Sequence, residues 1–279
     1  MTVDTHAHVI AADTRRYPRA PLGGRQSDWS RERPVSAEQM LAAMDEAGIA
    51  KTVLVQASTC YGHDNAYVAD AVAAHPQRFV GVFSVDMAAA DAPEKIRHWM
   101  DRGLGGLRVF IAGHTTAQDA RLDDPRSFPA WQCAVDAGLP ICVQARAPQL
   151  GELRALLERF ARARILLDHM ARPLVDDGPP YEAAAPLFAL AKYQNLALKL
   201  TTHNVRDAAK GKATPQTFLE RVVKTFGASR IAWGSNFPAS EGALGVLLAD
   251  ARAALGALTH EERDWIFSRT AKNFYHATA

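Results

Sequence analysis

The segment Asp4-Thr5-His6-Ala7-His8 carries the residue types and spacing most suited to chemistry in this sequence. Alternate residues of an extended strand point the same way, so His6 and His8 share one face and Asp4 lies behind them on it. Their backbones stand about 7 Å apart, and from that span two imidazoles can reach one divalent ion. Neutral imidazole is equally a candidate acid, base or carbonyl-polarising group near neutral pH. A third histidine, His169, follows Asp168 at the end of a later apolar run and precedes Met170-Ala171-Arg172-Pro173. Arg108 ends another run and Lys199 lies in a further one. A guanidinium so placed can hold a carboxylate by two parallel hydrogen bonds. Ser58 leads into Tyr61-Gly62-His63-Asp64-Asn65, where Asp64 or Asn65 reads equally well as a helix cap. No Gly-flanked serine of the nucleophile-elbow type is present, so Ser58 is not read as a nucleophile. Near the C-terminus, Trp233-Gly234-Ser235-Asn236-Phe237-Pro238 offers an amide that can orient a substrate or water but cannot take a proton.

Such scattered residues need a scaffold that gathers strand ends. Eight short apolar runs, at 2–9, 52–57, 79–85, 104–110, 140–144, 164–167, 196–200 and 231–233, alternate with amphipathic segments. Ser36 with Gln39, and Thr259 with Glu262, read as capping boxes, and Thr214-Pro215 as a cap followed by a tolerated proline. Gly48, Gly103 and Gly138 read as helix stops, and Pro186 should delay or kink the helix over 182–193. Eight repeats without a composition break predict one α/β domain over 1–279, a (β/α)8 TIM barrel, in preference to an open doubly wound sheet. No Gly-rich phosphate fingerprint follows the first run. In a barrel, strand C-termini face the pocket, so His6, His8, His169, Arg108 and Lys199 are expected at one mouth. The irregular stretch 11–34, with six arginines and Tyr17, reads as a lid or binding loop.

Composition excludes several function classes. Lys and Arg number 32 against 30 Asp and Glu, a net charge of +2 that offers no field for nucleic acid. A small anionic substrate remains compatible, because a few local arginines suffice to hold it. No run approaches the roughly 20 apolar residues of a membrane span. Cys60, Cys133 and Cys142 are odd in number and lack zinc-knuckle spacing. With no signal-peptide pattern at the start, a cytoplasmic enzyme with reduced thiols is expected. The oligomeric state, including a homo-oligomer, stays open.

Taken together, these motifs resemble the amidohydrolase superfamily, and within it the amidohydrolase-related branch that includes the 2-pyrone-4,6-dicarboxylate lactonases. The resemblance rests on residues 4–8, Val55-Gln56-Ala57-Ser58 with Gly62 and Asp64-Asn65, Gly106-Leu107-Arg108, Leu167 through Pro173, and Trp233 through Pro238. It implies a hydrolase acting on a lactone of a carboxylated ring-cleavage product or sugar acid. It also implies that His6, His8 and His169 polarise the substrate carbonyl, directly or through one divalent metal such as Zn2+. A metal-free site is the alternative. Arg108 and Arg172 would bind carboxylates, with Ser58 and Tyr17 assisting. Two departures stand out. Asn236 occupies the place where the family commonly has aspartate, and Gln144 lies where the superfamily's fifth-strand histidine is usual. The first removes the expected base and leaves a metal-bound hydroxide, another base such as His169 or Asp86, or a reaction that needs no water. A lactone isomerase or a metal-dependent decarboxylase is therefore a second reading, and a catalytically inactive ligand-binding barrel a third.

Overall fold

In the computed structural model, which describes residues 1–111 and 120–275, eight parallel strands form one sheet in sequential order. They are β1 (Thr2–Ala7), β2 (Ile49–Val55), β3 (Phe79–Ser84), β4 (Gly106–Phe110), β5 (Pro140–Gln144), β6 (Arg164–Leu167), β7 (Leu196–Thr201) and β8 (Ile231–Gly234). All eight predicted runs are strands, with ends displaced by no more than three residues. Nearly every strand residue is buried, because helices cover the outer face while side chains fill the interior. Between β1 and β8 the seam closes just beyond the strands. The His8 amide donates to the Phe237 carbonyl at 2.8 Å, and the Asn236 amide to the His6 carbonyl at 2.7 Å. The fold is thus a nearly closed (β/α)8 barrel.

The helix signals read from the sequence act as expected. Ser36 and Gln39 form a reciprocal capping box on the helix Ala37–Ala47, and Thr259 and Glu262 do the same at His260–Asp264. Thr214 caps the helix Pro215–Phe226. Gly48 stops its helix at φ 66°, a left-handed conformation that glycine adopts without a Cβ clash. Around Pro186 the helix is broken into short pieces, Glu182–Ala184, Ala185–Phe188 and Ala189–Lys192. Among the described residues no helix is long and apolar enough to cross a membrane.

Inside the barrel, chemistry is layered along the strands. The floor is apolar, built from Val53, Val55, Val82, Leu166, Ala197 and Ala232 and plugged by Tyr275 from the C-terminal helix Thr270–Tyr275. Gly106 makes room for that plug, since a Cβ there would lie 3.3 Å from the Tyr275 ring. Nearer the mouth the inward positions turn polar: Asp4, His6, Ser84, Arg108, Gln144, Lys199 and Thr201 are all buried. Gly234 on β8 is required by this crowding, because a Cβ would come within 2.6 Å of the His6 Cβ.

Candidate active site

His6, His8 and His169 meet at the C-terminal mouth. Ring centroids lie 5.0 Å apart for His6 and His8 and 4.8 Å for His6 and His169. His8 sits one residue past the end of β1, yet its ring stays beside that of His6. Hydrogen-bond partners fix two of the three tautomers. The Val55 carbonyl can only accept, so at 2.7 Å His8 Nδ1 must carry a proton, and Nε2 keeps the lone pair. His169 Nδ1 lies 2.8 Å from Thr201 Oγ1, whose own proton is directed 3.3 Å to Asn204 Oδ1. The imidazole therefore donates to Thr201, and His169 Nε2 also holds a lone pair. Nε2 of His6 is buried with no partner.

Burial keeps all three rings neutral. It drives His6 down to about 4, and holds His8 and His169 well below the ordinary imidazole value with further push from the neighbouring positive charges.

Beside the imidazoles lies a cluster of charges that single motifs did not reveal. Lys199 Nζ stands 3.1 Å from Asp168 Oδ1, both side chains fully buried, and Arg108 Nε is 3.8 Å from Asp168 Oδ2. Burial alone would raise the Asp168 carboxyl, but the Lys199 charge foremost holds it well below the carboxylate range. For Lys199, burial works against the ammonium and is outweighed by Asp168, then Cys142. Arg108 also donates to the Gln56 carbonyl at 2.7 Å and covers the Phe110 ring. Asp4 ties the seam instead of facing substrate, accepting from the Ser235 amide at 2.8 Å and the Ser235 hydroxyl at 2.5 Å. Its burial pushes it up to about 6 against those hydrogen bonds.

His169 is presented by an unusual backbone. From His169 to Arg172, four consecutive non-glycine residues have φ between 48° and 57°. A left-handed conformation costs about 1–2 kcal/mol per residue, so neighbours must hold it. They come from the short helix Thr202–Asp207. Asn204 Nδ2 donates to the His169 carbonyl at 2.7 Å, and Asp207 grips Arg172 with two hydrogen bonds of 2.8 and 2.9 Å. Met170 and Ala171 are packed out of solvent.

Other predicted site residues are placed less centrally. Arg172 lines a cavity of about 550 Å3 with Arg146, Asp207 and Lys210. Asn236 Nδ2 is 3.2 Å from His203 Nε2 and 3.0 Å from Ser240 Oγ. Ser58 is fully buried with its hydroxyl 3.5 Å from Ser84 Oγ. Tyr17 is not brought to the histidines. Its hydroxyl donates to Asp70 at 2.6 Å and its ring lies against Tyr67, 4.8 Å between centroids. From the same irregular stretch it is Trp29 that reaches the site, stacking on His8 at 5.2 Å. Asp86 is exposed and lines a separate cavity of about 370 Å3 with His63, Phe110 and Arg121. Gln144 is buried with Oε1 unpartnered. Sequence reasoning missed His203, whose ring is 5.2 Å from that of His169 and whose burial lowers it to about 4. The only signal was its position two residues beyond β7, inside a loop-side helix.

Comparison with known proteins agrees with this architecture. The chain is 28% identical over 243 residues to an L-fucono-1,5-lactonase of Burkholderia ambifaria, covering 85% of this chain and 80% of that protein. A structure from Pseudomonas putida, described as a candidate 2-pyrone-4,6-dicarboxylic acid hydrolase, superposes with a TM-score of 0.80 at 20% identity, covering 100% of this chain and 98% of the other. An amidohydrolase from Burkholderia multivorans with bound zinc superposes with a TM-score of 0.77 at 18% identity, covering 99% of both chains. At such identities the two structures speak for the fold. The sequence matches the family described as amidohydrolase over residues 3–277, and the chain belongs to that family.

Proposed function

We propose that the protein hydrolyses a lactone of a small carboxylated acid, either a ring-cleavage product or a sugar acid. The observation that carries this reading is the group of three neutral imidazoles, His6, His8 and His169, at one mouth beside the Arg108 guanidinium. The kinship with an L-fucono-1,5-lactonase supports the substrate class.

Zinc is present in one related structure, and a divalent ion was one of the two alternatives read from the sequence. Three observations count against such a centre. Among the described residues no group of three or more His, Cys, Asp or Glu is arranged to hold an ion. Asn236 supplies an amide where a carboxylate ligand would be useful. The Lys199 ammonium lies 3.5 Å from His6 Nδ1, and its charge opposes a second cation close by. The steps are therefore derived from the protein's own groups.

The lactone carbonyl oxygen meets His6 Nε2, the buried nitrogen without a partner, while Arg108 and Lys199 make the surroundings favourable to developing negative charge. A water oxygen bonds to the acyl carbon and its proton passes to His169 Nε2. The ring C–O bond then breaks, and the leaving oxygen recovers that proton from His169. The imidazole is neutral with a lone pair free on Nε2, which is what a base at this position needs. His8 Nε2 orients the water. The substrate carboxylate binds Arg172 at the cavity edge, where Asp207 now occupies the guanidinium. A panel of carboxylated lactones followed by acid release tests the reading, and rates no higher than buffer on every member would refute it.

A further inference from the structure

Lys199 is fully enclosed in the barrel interior, with no exposure to solvent. An ammonium has three protons to donate and no acceptor capacity. Around Nζ stand three acceptors: Cys142 Sγ at 3.0 Å, Asp168 Oδ1 at 3.1 Å and His6 Nδ1 at 3.5 Å. Because the ammonium can only donate, its contact with His6 requires a lone pair on Nδ1. A direct His6–Asp168 hydrogen bond would need the opposite tautomer. Those atoms are 3.4 Å apart and, like the Lys199–Asp168 ion pair, lack hydrogen-bond geometry.

We propose that Lys199 is a positioning residue that fixes His6 in the tautomer with its proton on Nε2, so that His6 donates to the lactone carbonyl oxygen. The idea rests on the proposed hydrolase reading for its catalytic consequence, but the tautomer itself does not. Nε2 of His6 is buried and unpartnered, as a donor awaiting a substrate acceptor would be. Lys199 does not touch substrate. It sits below the imidazoles, and its other contacts lead away from the mouth, through Cys142 to the Tyr275 hydroxyl 3.1 Å further on. That chain ties the C-terminal helix to His6. Cys142, backed by Tyr275, holds the ammonium on one side and Asp168 pairs with it on another. Asp168 and His6 then share one cation, and the ring orientation follows from it.

The role separates from a purely structural ion pair by what changes when the ammonium is removed. In protein labelled with 15N-histidine, wild-type His6 is expected to show a protonated Nε2 and a bare Nδ1. In Lys199→Met, Nδ1 takes the proton and turns it to Asp168. The same variant should lose about a hundredfold in kcat on a lactone substrate, with KM within threefold of wild type. In an Asp168→Asn background, the Lys199→Met change should still move the His6 tautomer, because Lys199 contacts His6 directly. If Lys199→Met alone does not fold, the Lys199→Met, Asp168→Asn pair, which removes both charges, is compared with Asp168→Asn in the same way. A wild-type His6 with its proton on Nδ1, or a variant with unchanged His6 nitrogens, overturns the proposal. So does a folded variant with wild-type kcat. If wild-type protein hydrolyses no lactone, the functional reading falls, and the nitrogen signals alone decide the tautomer.

Discussion

The Lys199 ammonium lies 3.1 Å from the Asp168 carboxylate, and neither side chain reaches solvent. A buried pair of this kind contributes little net stability as a pair, because desolvation offsets attraction. Breaking it is another matter. Asp168→Leu alone should lower the free energy of unfolding by about 3–5 kcal/mol, since it leaves Lys199 and Arg108 buried without their carboxylate, and Lys199→Met should cost less, because Arg108 still faces Asp168. The double variant should recover a large part of that loss. Urea denaturation of the four proteins checks this, and additive losses would contradict it.

Arg172 is held by Asp207, which Lys210 also contacts at 2.9 Å. Arg172→Ala therefore leaves Asp207 with a partner and leaves the Asn204 hydrogen bond to the His169 carbonyl to hold the left-handed run, so it should fold with a modest loss of stability. A substrate carboxylate loses its charged hydrogen bonds, so KM for a carboxylated lactone should rise about tenfold to a hundredfold, with kcat little changed. Steady-state kinetics on one lactone with and without its carboxylate group provide the check. An equal effect on both substrates would remove Arg172 from carboxylate binding.

Asn236→Asp restores the carboxylate the family commonly has. His203 and Ser240 can reverse their hydrogen bonds and donate to it, so the change is sterically neutral. Hydrolysis should rise by about tenfold or more, because a positioned general base contributes two to four orders of magnitude when it is limiting. Product analysis by mass spectrometry decides the matter. No gain in hydrolysis would mean that water activation does not limit the reaction, and would leave Asn236 with a positioning role only.

Stability should fall in mild acid. His6 and His203 are lowered to about 4, and His8 and His169 lie well below their ordinary value. Between the unfolded imidazole pKa near 6.5 and the folded value, the unfolded chain binds protons that the folded chain refuses. Stability present above about pH 6.5 is thus lost progressively toward pH 4. Asp4, raised to about 6, acts in the opposite sense: below pH 6 the folded state takes its proton more readily than the unfolded one. With His63 also lowered by burial, five lowered histidines outweigh one raised carboxyl. Thermal melting between pH 7 and pH 4.5 should show a falling Tm, and a Tm that rises over this interval would contradict the assigned burial.

Much of this was legible in the sequence, for identifiable reasons. Barrel strands are covered on both faces, so they appear as short apolar runs, and Ser36, Thr214 and Thr259 mark helix starts by local hydrogen bonds that sequence spacing reveals. His6 and His8 follow from the two-residue strand period, and His169 from its place after β6. Contacts that depend on the three-dimensional register were hidden. Arg108 and Lys199 lie on two different strands and Asp168 just past the end of a third, and only the closed barrel turns them into one cluster. His203 comes from a helix of six residues with no periodicity of its own. Tyr17 looked like a lid residue because its loop is long, but the loop folds back and gives the hydroxyl to Asp70, leaving Trp29 over His8. The left-handed run at His169–Arg172 breaks every local preference of those residues and is held only by tertiary contacts.

The central claim is that His6, His8 and His169 add water to a lactone without help from a metal ion. Turnover of a carboxylated lactone in H2 18O, using chelator-treated protein, tests it most directly. The account predicts one 18O in the new carboxylate of the product, and loss of that incorporation in a His169→Asn variant. A product without 18O, release of carbon dioxide, or activity that returns only when Zn2+ is added would contradict it.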